Sequence, residues 1–329
     1  MIIDCFIFFK EFQLLEARVK YLAPLVDQFL IVESAFTFTG VAKPLKLKQH
    51  IRDHLPQYAN KITVLENLEY LTEQNFDLLV CEAKLSPGSI KELIQIKDTT
   101  HHNATTWLND GYQRELLGNL VIKHTKPQDI VLISDVDEIP SHDFIRVLRP
   151  GENTLTFASM TQHRYDIHFL DLKPWIGTVA TNRETLIKRG INECRFFTKR
   201  RLAGSDVLHR SNGGWHFTSF GSPAEIRQKI YAWGHQELNT PINRLLLTFR
   251  IRRGLDIFGR KMTIEYVKIP DVPTVLFEYF EQSHSYKFRA PSTFAILINT
   301  LAVLLDKFYR VVAERVESKR KKGVRIENK

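Results

Sequence analysis

Alternating apolar and polar segments in the first part of the chain predict a fold that switches between strands and helices. Ile2–Phe9 is a largely apolar run that indicates a buried strand. Glu11–Ala23 follows with apolar residues at helical spacing, and a proline then ends the predicted helix. Phe29–Glu33 and Lys61–Leu65 are the next two predicted strands. A β-α-β-β opening of this kind is typical of a doubly wound sheet with right-handed crossovers.

The pattern continues to the end of the chain. Residues 66–103 are polar and weakly periodic, which indicates loop and short helix. Trp107–His124 is a predicted helix that leads into Ile130–Ile133, an uncharged β-branched run typical of a strand buried on both faces. Pro223–Gln236 is a further predicted helix. We therefore expect an α/β fold with a Rossmann-like, mostly parallel central sheet flanked by helices.

The C-terminal part has a different pattern. Residues 292–318 form a long amphipathic segment that leads into a basic tail. We expect a catalytic domain over residues 1–261, followed by a C-terminal helical extension over residues 262–329. From Arg315 to Lys329 the chain has seven Lys or Arg and two Glu, so this tail supplies more than half of the formal net charge of +9.

Three acids crowd the end of the Ile130–Ile133 run: Asp135, Asp137 and Glu138. Carboxylates at the mouth of a buried strand repel one another and are costly to desolvate, so they usually have a cation. Oxygen ligands favour Mn²⁺ or Mg²⁺, which share their shell with phosphate oxygens. Asp137 is the leading direct ligand, and Asp135 is expected to face the metal or a ribose. A solvated turn or a helix cap is the structural alternative.

Composition narrows the class of protein. A length of 329 residues and 43% apolar content suit an ordinary globular protein. Three widely separated cysteines favour a reducing compartment, so we expect a cytoplasmic protein. The N-terminus has neither a basic leader nor a cleavage site, and no apolar window is long enough to span a bilayer. The basic run lacks interleaved aromatic residues, which argues against nucleic acid as a partner.

With these acids in view, the chain resembles glycosyltransferase family 17, whose best-known member is the bisecting N-acetylglucosaminyltransferase. The resemblance follows family order over most of the chain. The matching segments are residues 8–45, Trp107 with the YQR at 112–114, IVLISDVDEIP at 130–140, GGWHFTSFG at 213–221, GHQELN at 234–239 and GLDIFGR at 254–260.

This resemblance implies a GT-A type fold and an inverting, metal-dependent transfer of N-acetylglucosamine from a UDP-sugar donor to a glycan acceptor. From the sequence we expect a departure from the animal members, which have a membrane anchor, a luminal stem and paired cysteines. The acceptor therefore stays open between an N-glycan, a bacterial-style envelope glycan and another acceptor at the cytoplasmic face of a membrane.

Other residues are candidates for the remaining roles. His216, in the GGWHFTSFG segment, is a second metal-ligand candidate because a neutral imidazole completes an Mn²⁺ shell well. Glu237 and Asp166 are the candidates for the general base that deprotonates the acceptor. Glu33 and Ser34 end a predicted strand where a nucleoside is expected to bind.

Arg114 could hold a phosphate through its planar guanidinium. Trp175 and Trp215 could stack on sugar rings. The structural alternatives are a helix salt bridge for Arg114 and core packing for at least one of the two tryptophans.

Two other functions are compatible with the sequence. An acid pair after an apolar strand also occurs in haloacid-dehalogenase-like phosphotransferases, in which Asp135 would be the nucleophile. A non-catalytic glycan-binding protein at a membrane surface would keep the fold without turnover. The apolar residues of Phe294–Val316, followed by the basic tail, suit peripheral contact with an anionic membrane.

Overall fold

The computed structural model describes residues 1–99, 104–149, 154–197, 207–232, 238–260, 264–283 and 292–308. In these ranges ten strands form one sheet. The strands are β1 (Ile2–Phe8), β2 (Gln28–Ser34), β3 (Ile62–Asn67), β4 (Ile130–Ile133), β5 (Glu138–Pro140), β6 (Leu155–Arg164), β7 (Phe169–Thr181), β8 (Val207–Arg210), β9 (Gly214–Thr218) and β10 (Ile264–Tyr266).

The helices surround this sheet. They are α1 (Phe12–Leu22), α2 (Leu47–His54), α3 (Phe76–Glu82), α4 (Pro87–Thr99), α5 (Ala104–His124), α6 (His142–Arg146), α7 (Arg183–Arg189), α8 (Pro223–Ala232), α9 (Pro241–Arg252) and α10 (Thr274–Ser283). Residues 293–308 are also helical and are called the C-terminal helix below. A one-turn π-helix, Glu193–Phe197, follows α7.

The sheet combines a parallel half with a mixed half. Strands β3, β2, β1 and β4 are neighbours in that order and run parallel. Strand β7 then pairs antiparallel with both β4 and β6, and β6 pairs parallel with β9. Strand β5 joins the far edge through antiparallel pairing with β9. The prediction of an α/β fold with a mostly parallel sheet flanked by helices is confirmed.

The core lies on both faces of the parallel half. Along β1 and β2, Phe6 and Phe29 point into one apolar cluster, whereas Cys5 and Leu30 point into the other. Helices α1 and α10 cover the first face, and α5 covers the second. Because successive side chains alternate between faces, an uninterrupted apolar run fills both clusters at once.

Two segments differ from the predicted order. Helix α2 lies between β2 and β3, so the opening is β-α-β-α-β. Its buried side is only Leu47 and Ile51, which is too short an apolar pattern to predict a helix. Within residues 66–99, the described part of the segment predicted as loop and short helix, the chain forms α3 and α4, and α4 is 13 residues long.

Residues beyond 261 contribute to the main core. Leu276 and Phe280 of α10 are 0% and 2% exposed and belong to the cluster that α1 packs against. These contacts show packing and do not define a boundary between domains, so the boundary near residue 261 stays a prediction. Over the described ranges, no helix has the length and apolar character needed to cross a membrane.

Candidate active site

Residues 134–138, called the acid turn below, connect the end of β4 to β5. Strand β4 ends beside β1, where the backbone N–H of Ser134 donates to the carbonyl of Cys5. The chain then turns sharply, and the N–H of Glu138 donates to the carbonyl of Asp135 at 3.0 Å. The turn thus lies at the carboxyl edge of the parallel strands, where open α/β sheets bind their ligands.

Arg18, on α1, supports the acid turn from inside the protein. Its side chain is 0% exposed and makes two bonds, of 2.6 and 2.7 Å, to the carboxylate of Asp4 on β1. It also donates to the backbone carbonyls of Asp135 and Glu138. A buried guanidinium is tolerated only with such complete pairing. Arg18 therefore fixes the backbone that presents the three acids.

Asp135 is clamped by two arginines. Arg114 donates to Oδ1 at 2.9 Å, and Arg195 donates to Oδ2 at 2.7 Å. Burial alone would raise the pKa of Asp135, but these two guanidinium groups outweigh burial and hold its pKa well below the ordinary value. Asp135 is therefore ionised, and both of its oxygens accept hydrogen bonds from protein groups.

Glu138 organises the turn from the opposite side. Its side chain is 0% exposed, and Oε2 accepts from Arg195 at 2.7 Å and from the N–H of Asp135 at 3.2 Å. Oε1 accepts from the indole N–H of Trp175 at 2.6 Å. Arg195 comes from the π-helix after α7, an element that is frequent at functional sites. Glu138 thus holds Arg195 in place, and Arg195 holds the carboxylate of Asp135.

Asp137 and His216 meet across the pairing of β5 with β9. Glu138 lies opposite His216 in this register, which brings the neighbouring Asp137 near the imidazole. Nε2 of His216 is 3.8 Å from Oδ1 of Asp137. The indole of Trp175 stacks on the imidazole at 4.6 Å between ring centroids. The sheet register therefore assembles two candidate metal ligands that are distant in sequence.

The tautomer of His216 follows from its neighbours. Gln162 donates its amide N–H to Asp171 at 2.8 Å, so its carbonyl oxygen faces His216 and accepts from Nδ1 at 3.1 Å. In the neutral imidazole, Nε2 is then the nitrogen that could bind a metal, and it lies on the side of Asp137. A metal-ligating histidine donates its other ring N–H in this way, so the contact with Gln162 suits His216 as a ligand.

This arrangement fits a divalent ion that shares its shell with phosphate. In the described part of the chain, no group of three or more His, Cys, Asp or Glu has the arrangement of a metal site. Asp137 and His216 would supply two ligands, and Mn²⁺ or Mg²⁺ commonly takes the rest from water and a diphosphate.

Ion pairs surround the acid turn. Among the described residues, they join six carboxylates to four arginine or lysine side chains. The carboxylates are Asp4, Glu11, Asp110, Asp135, Asp137 and Glu138, and the cations are Arg18, Arg114, Arg195 and Lys229.

The predicted nucleoside residues have structural partners. The carboxylate of Glu33 accepts the backbone N–H groups of Lys46 and Leu47 and so caps the start of α2. The hydroxyl of Ser34 accepts from the side chain of Asn67. Both residues are 1% exposed, and both lie at the carboxyl end of β2, on the edge that carries the acid turn. Nucleoside binding by them stays a prediction.

One of the two base candidates, Asp166, lies within the described residues. Asp166 lies in the turn between β6 and β7, where its carboxylate accepts the N–H of His168 at 2.9 Å. Glu237 lies outside the described residues. Trp215 donates its indole N–H to the carbonyl of Asp271. The base assignment therefore stays a prediction for both acids.

Three basic residues of the site were missed by the sequence analysis: Arg18, Arg195 and Lys229. A signal existed only for Arg18. It lies three residues after Leu15 and four before Leu22, so it occupies the buried face of α1. An arginine on an apolar face needs a buried acid, and Asp4 offers one because it lies within the apolar run of the preceding strand.

Comparison with known proteins identifies the family. The model of "Glycosyltransferase family 17" matches residues 1–103 and 72–254, most of the chain. The chain belongs to glycosyltransferase family 17. The predicted resemblance is therefore confirmed, and the protein is a member of a family of sugar-transferring enzymes.

Curated relatives and one solved structure also match parts of the chain. The human and rat beta-1,4-mannosyl-glycoprotein 4-beta-N-acetylglucosaminyltransferases are each 27% identical over 142 residues, which is 42% of this chain. The aligned segment spans 22% of the human and 21% of the rat protein. A crystal structure of an active-site mutant of LgtC is 14% identical and covers 63% of this chain and 71% of its own, with a TM-score of 0.30. That score is too low to support an argument.

Proposed function

We propose that this family 17 enzyme transfers N-acetylglucosamine from UDP-N-acetylglucosamine to a glycan acceptor, with inversion, on a GT-A type scaffold. The observation that carries the proposal is the meeting of Asp137 and His216 at the carboxyl edge of the sheet, 3.8 Å apart. The N-acetylglucosaminyltransferase names of the curated relatives support the choice of sugar.

The residues of the acid turn divide the work. Asp137 and His216 would hold Mn²⁺ or Mg²⁺, which as a Lewis acid supplies charge neutralisation at the leaving diphosphate. Asp135, ionised and fixed by Arg114 and Arg195, is positioned to accept a hydrogen bond from a ribose hydroxyl. The rigid support by Arg18 and Glu138 means that little reorganisation is needed when the donor binds.

The double clamp on Asp135 argues against the phosphotransferase alternative. A nucleophilic carboxylate needs an electron-rich oxygen, but each oxygen of Asp135 is paired with an arginine, which lowers its nucleophilicity. Membership of a glycosyltransferase family points the same way. The non-catalytic alternative is separated by experiment.

Titration of UDP into the protein by calorimetry, with and without Mn²⁺, tests the proposal. We expect Mn²⁺-dependent binding by the wild type and a loss of at least about tenfold in Asp137→Asn, because one charged metal ligand is removed. Asp143→Asn is the matched control, since the Asp143 side chain is 91% exposed and lies six positions further along. Binding of UDP that ignores both Mn²⁺ and Asp137 would contradict the metal site.

Turnover is measured separately. UDP release from UDP-N-acetylglucosamine in the presence of Mn²⁺, with wild type and Asp137→Asn, distinguishes an enzyme from a glycan-binding protein. We expect release by the wild type only. Glycan binding with no release of UDP under any condition would favour the non-catalytic alternative.

We also propose that the enzyme works at the cytoplasmic face of a membrane, through the C-terminal helix. One side of this helix, called the apolar face below, has six large apolar side chains that are 54% to 71% exposed. They are Phe294, Leu297, Leu301, Leu304, Leu305 and Phe308. The opposite side is anchored, since Asn299 accepts from Arg250 at 2.8 Å and Asp306 accepts from Thr240.

An anionic bilayer is the partner that suits this face. A helix that lies in the membrane plane buries an apolar side and surrounds it with basic groups. The basic residues 315–329, which follow in sequence outside the described residues, match the negative charge of such a surface. The free thiols of Cys5, Cys81 and Cys194 support a reducing compartment.

Flotation with vesicles that contain phosphatidylglycerol, against vesicles of phosphatidylcholine alone, tests this part. We expect the wild type to float with the anionic vesicles and Leu301→Gln/Leu305→Gln to stay at the bottom. Leu68→Gln/Leu78→Gln is the matched control, because these leucines are 64% and 60% exposed elsewhere. Equal flotation of all three proteins, or a dimer in solution that the face variant abolishes, would overturn it.

A further inference from the structure

Four cationic side chains pair with the carboxylates around the acid turn, and together these groups are called the acid cluster below. The four cations differ in their exposure to solvent. The side chains of Arg18, Arg195 and Arg114 are 0%, 2% and 8% exposed. Lys229, on α8, is 35% exposed. The three arginines are each held by several bonds to acids and carbonyl groups, whereas Lys229 reaches the cluster at the end of a flexible four-carbon chain. Lys229 is therefore the cation of this cluster that can change partners at least cost.

Lys229 lies between two carboxylates in the described structure. Its ammonium is 3.0 Å from Oε1 of Glu11, which follows β1, and 3.3 Å from Oδ2 of Asp137. Two carboxylates at this distance both attract the ammonium group. Lys229 thus pairs with Oδ2 of Asp137, while His216 lies beside Oδ1 of the same carboxylate.

Helix α8 is fixed over the same edge of the sheet. Lys10, after β1, donates to the side chain of Gln228, and Thr39, after β2, donates to the backbone carbonyl of Tyr231. These two contacts flank Lys229 in sequence. These contacts hold the backbone of Lys229 in place. Its four-carbon side chain can still adopt other rotamers.

We infer that Lys229 neutralises Asp137 while no divalent ion is bound and contacts the diphosphate of the nucleotide donor once the ion is bound. The inference rests on the proposed function. A divalent ion on Asp137 repels an ammonium group held beside the same carboxylate, and the diphosphate that arrives with the ion offers new oxygen acceptors nearby. Lysine is a common phosphate ligand because it is a compact point charge.

The exchange predicts opposite changes in two affinities of Lys229→Met. Affinity for Mn²⁺ alone should rise, on the order of several-fold, because a competing like charge is gone. Affinity for UDP at saturating Mn²⁺ should fall by about tenfold or more, because a charged hydrogen bond is lost. A lysine with only a structural role would not produce this divergence. Both affinities are measured by calorimetry, without reference to turnover.

Controls separate the inference from misfolding and from the proposed function. Lys20→Met removes an ammonium of similar exposure, 32%, that pairs with Glu16 at 3.2 Å away from the acid turn, and it should change neither affinity. Lys229→Arg should keep most of the UDP affinity. Uridine, which lacks phosphate, should bind Lys229→Met and wild type equally.

Each outcome decides one statement. Unchanged UDP affinity in Lys229→Met, or a parallel loss of Mn²⁺, uridine and UDP binding, would overturn the role of Lys229 and leave the proposed function standing. Failure of the wild type to bind UDP with Mn²⁺ would overturn the proposed function and this inference together.

Discussion

The acid turn and the C-terminal helix treat polar and apolar groups in opposite ways. At the acid turn, charged groups such as Arg18 and Glu138 are 0% exposed and each is paired. On the C-terminal helix, large apolar side chains such as Phe294 and Phe308 are 71% and 70% exposed. The first region buries paired charges, and the second exposes apolar side chains to water.

This difference shows what each region is built for. Buried charges cost several kcal/mol each unless they are paired, so a cluster of them is retained for specific geometry. Exposed apolar side chains make few contacts within the fold, and a contiguous patch of them normally marks an interaction site. The acid turn therefore owes its form to internal partners, and the apolar face is expected to find its partner outside the chain.

The largest predicted effect tests the internal pairing. Arg18→Met should lower the free energy of unfolding by about 3–5 kcal/mol, because Asp4 is left buried and uncompensated. Urea denaturation measures this. Arg146→Met is the control, since Arg146 pairs with Asp143 on the surface with side chains 61% and 91% exposed, and it should cost less than about 1 kcal/mol. Equal losses in both variants would contradict the comparison.

A second prediction uses pH to separate a buried neutral group from the charged cluster. Burial lowers the pKa of His163 to about 4, below its ordinary value of 6.5. As pH falls from 6.5 to 4, the unfolded chain takes up a proton that the folded chain refuses, so stability is lost in this window. The loss from His163 should reach up to about 3 kcal/mol.

The contribution of His163 is isolated by difference. Urea denaturation of wild type and His163→Gln at pH 7 and pH 4.5 should show a smaller pH dependence in the variant. Asp135 acts in another window, because its lowered pKa means that its stabilisation is lost only at pH below the ordinary aspartate range. Identical pH profiles for the two proteins would refute the assignment to His163.

The smallest predicted effect concerns the apolar face. Leu301→Gln/Leu305→Gln should change the free energy of unfolding by no more than about 0.5 kcal/mol per site, because neither side chain packs in the core. Leu15→Ala, at a position 0% exposed on α1, should cost about 2–5 kcal/mol by the same urea assay. A large loss in the face variant would mean that these leucines support the fold and not an external partner.

The amino-acid sequence by itself determined most elements of the core and pointed to the candidate site. Apolar runs such as Ile130–Ile133 could fill both faces of a sheet only as buried strands, and this predicted the α/β class. The acids after that run marked the ligand edge, because strand ends meet there. The family resemblance, also visible in the sequence, was confirmed.

Only the tertiary structure decided which groups meet around those acids. Arg195 reaches Asp135 across 60 residues and Lys229 reaches Asp137 across 92, and no local pattern marks either pair. Glu33 became the cap of α2 for the same reason. Periodicity reports which side of an element is buried, since burial depends on neighbours within one turn or one pleat. Ion pairs depend on where distant elements pack, and that is fixed only when the whole sheet and its helices close around the core.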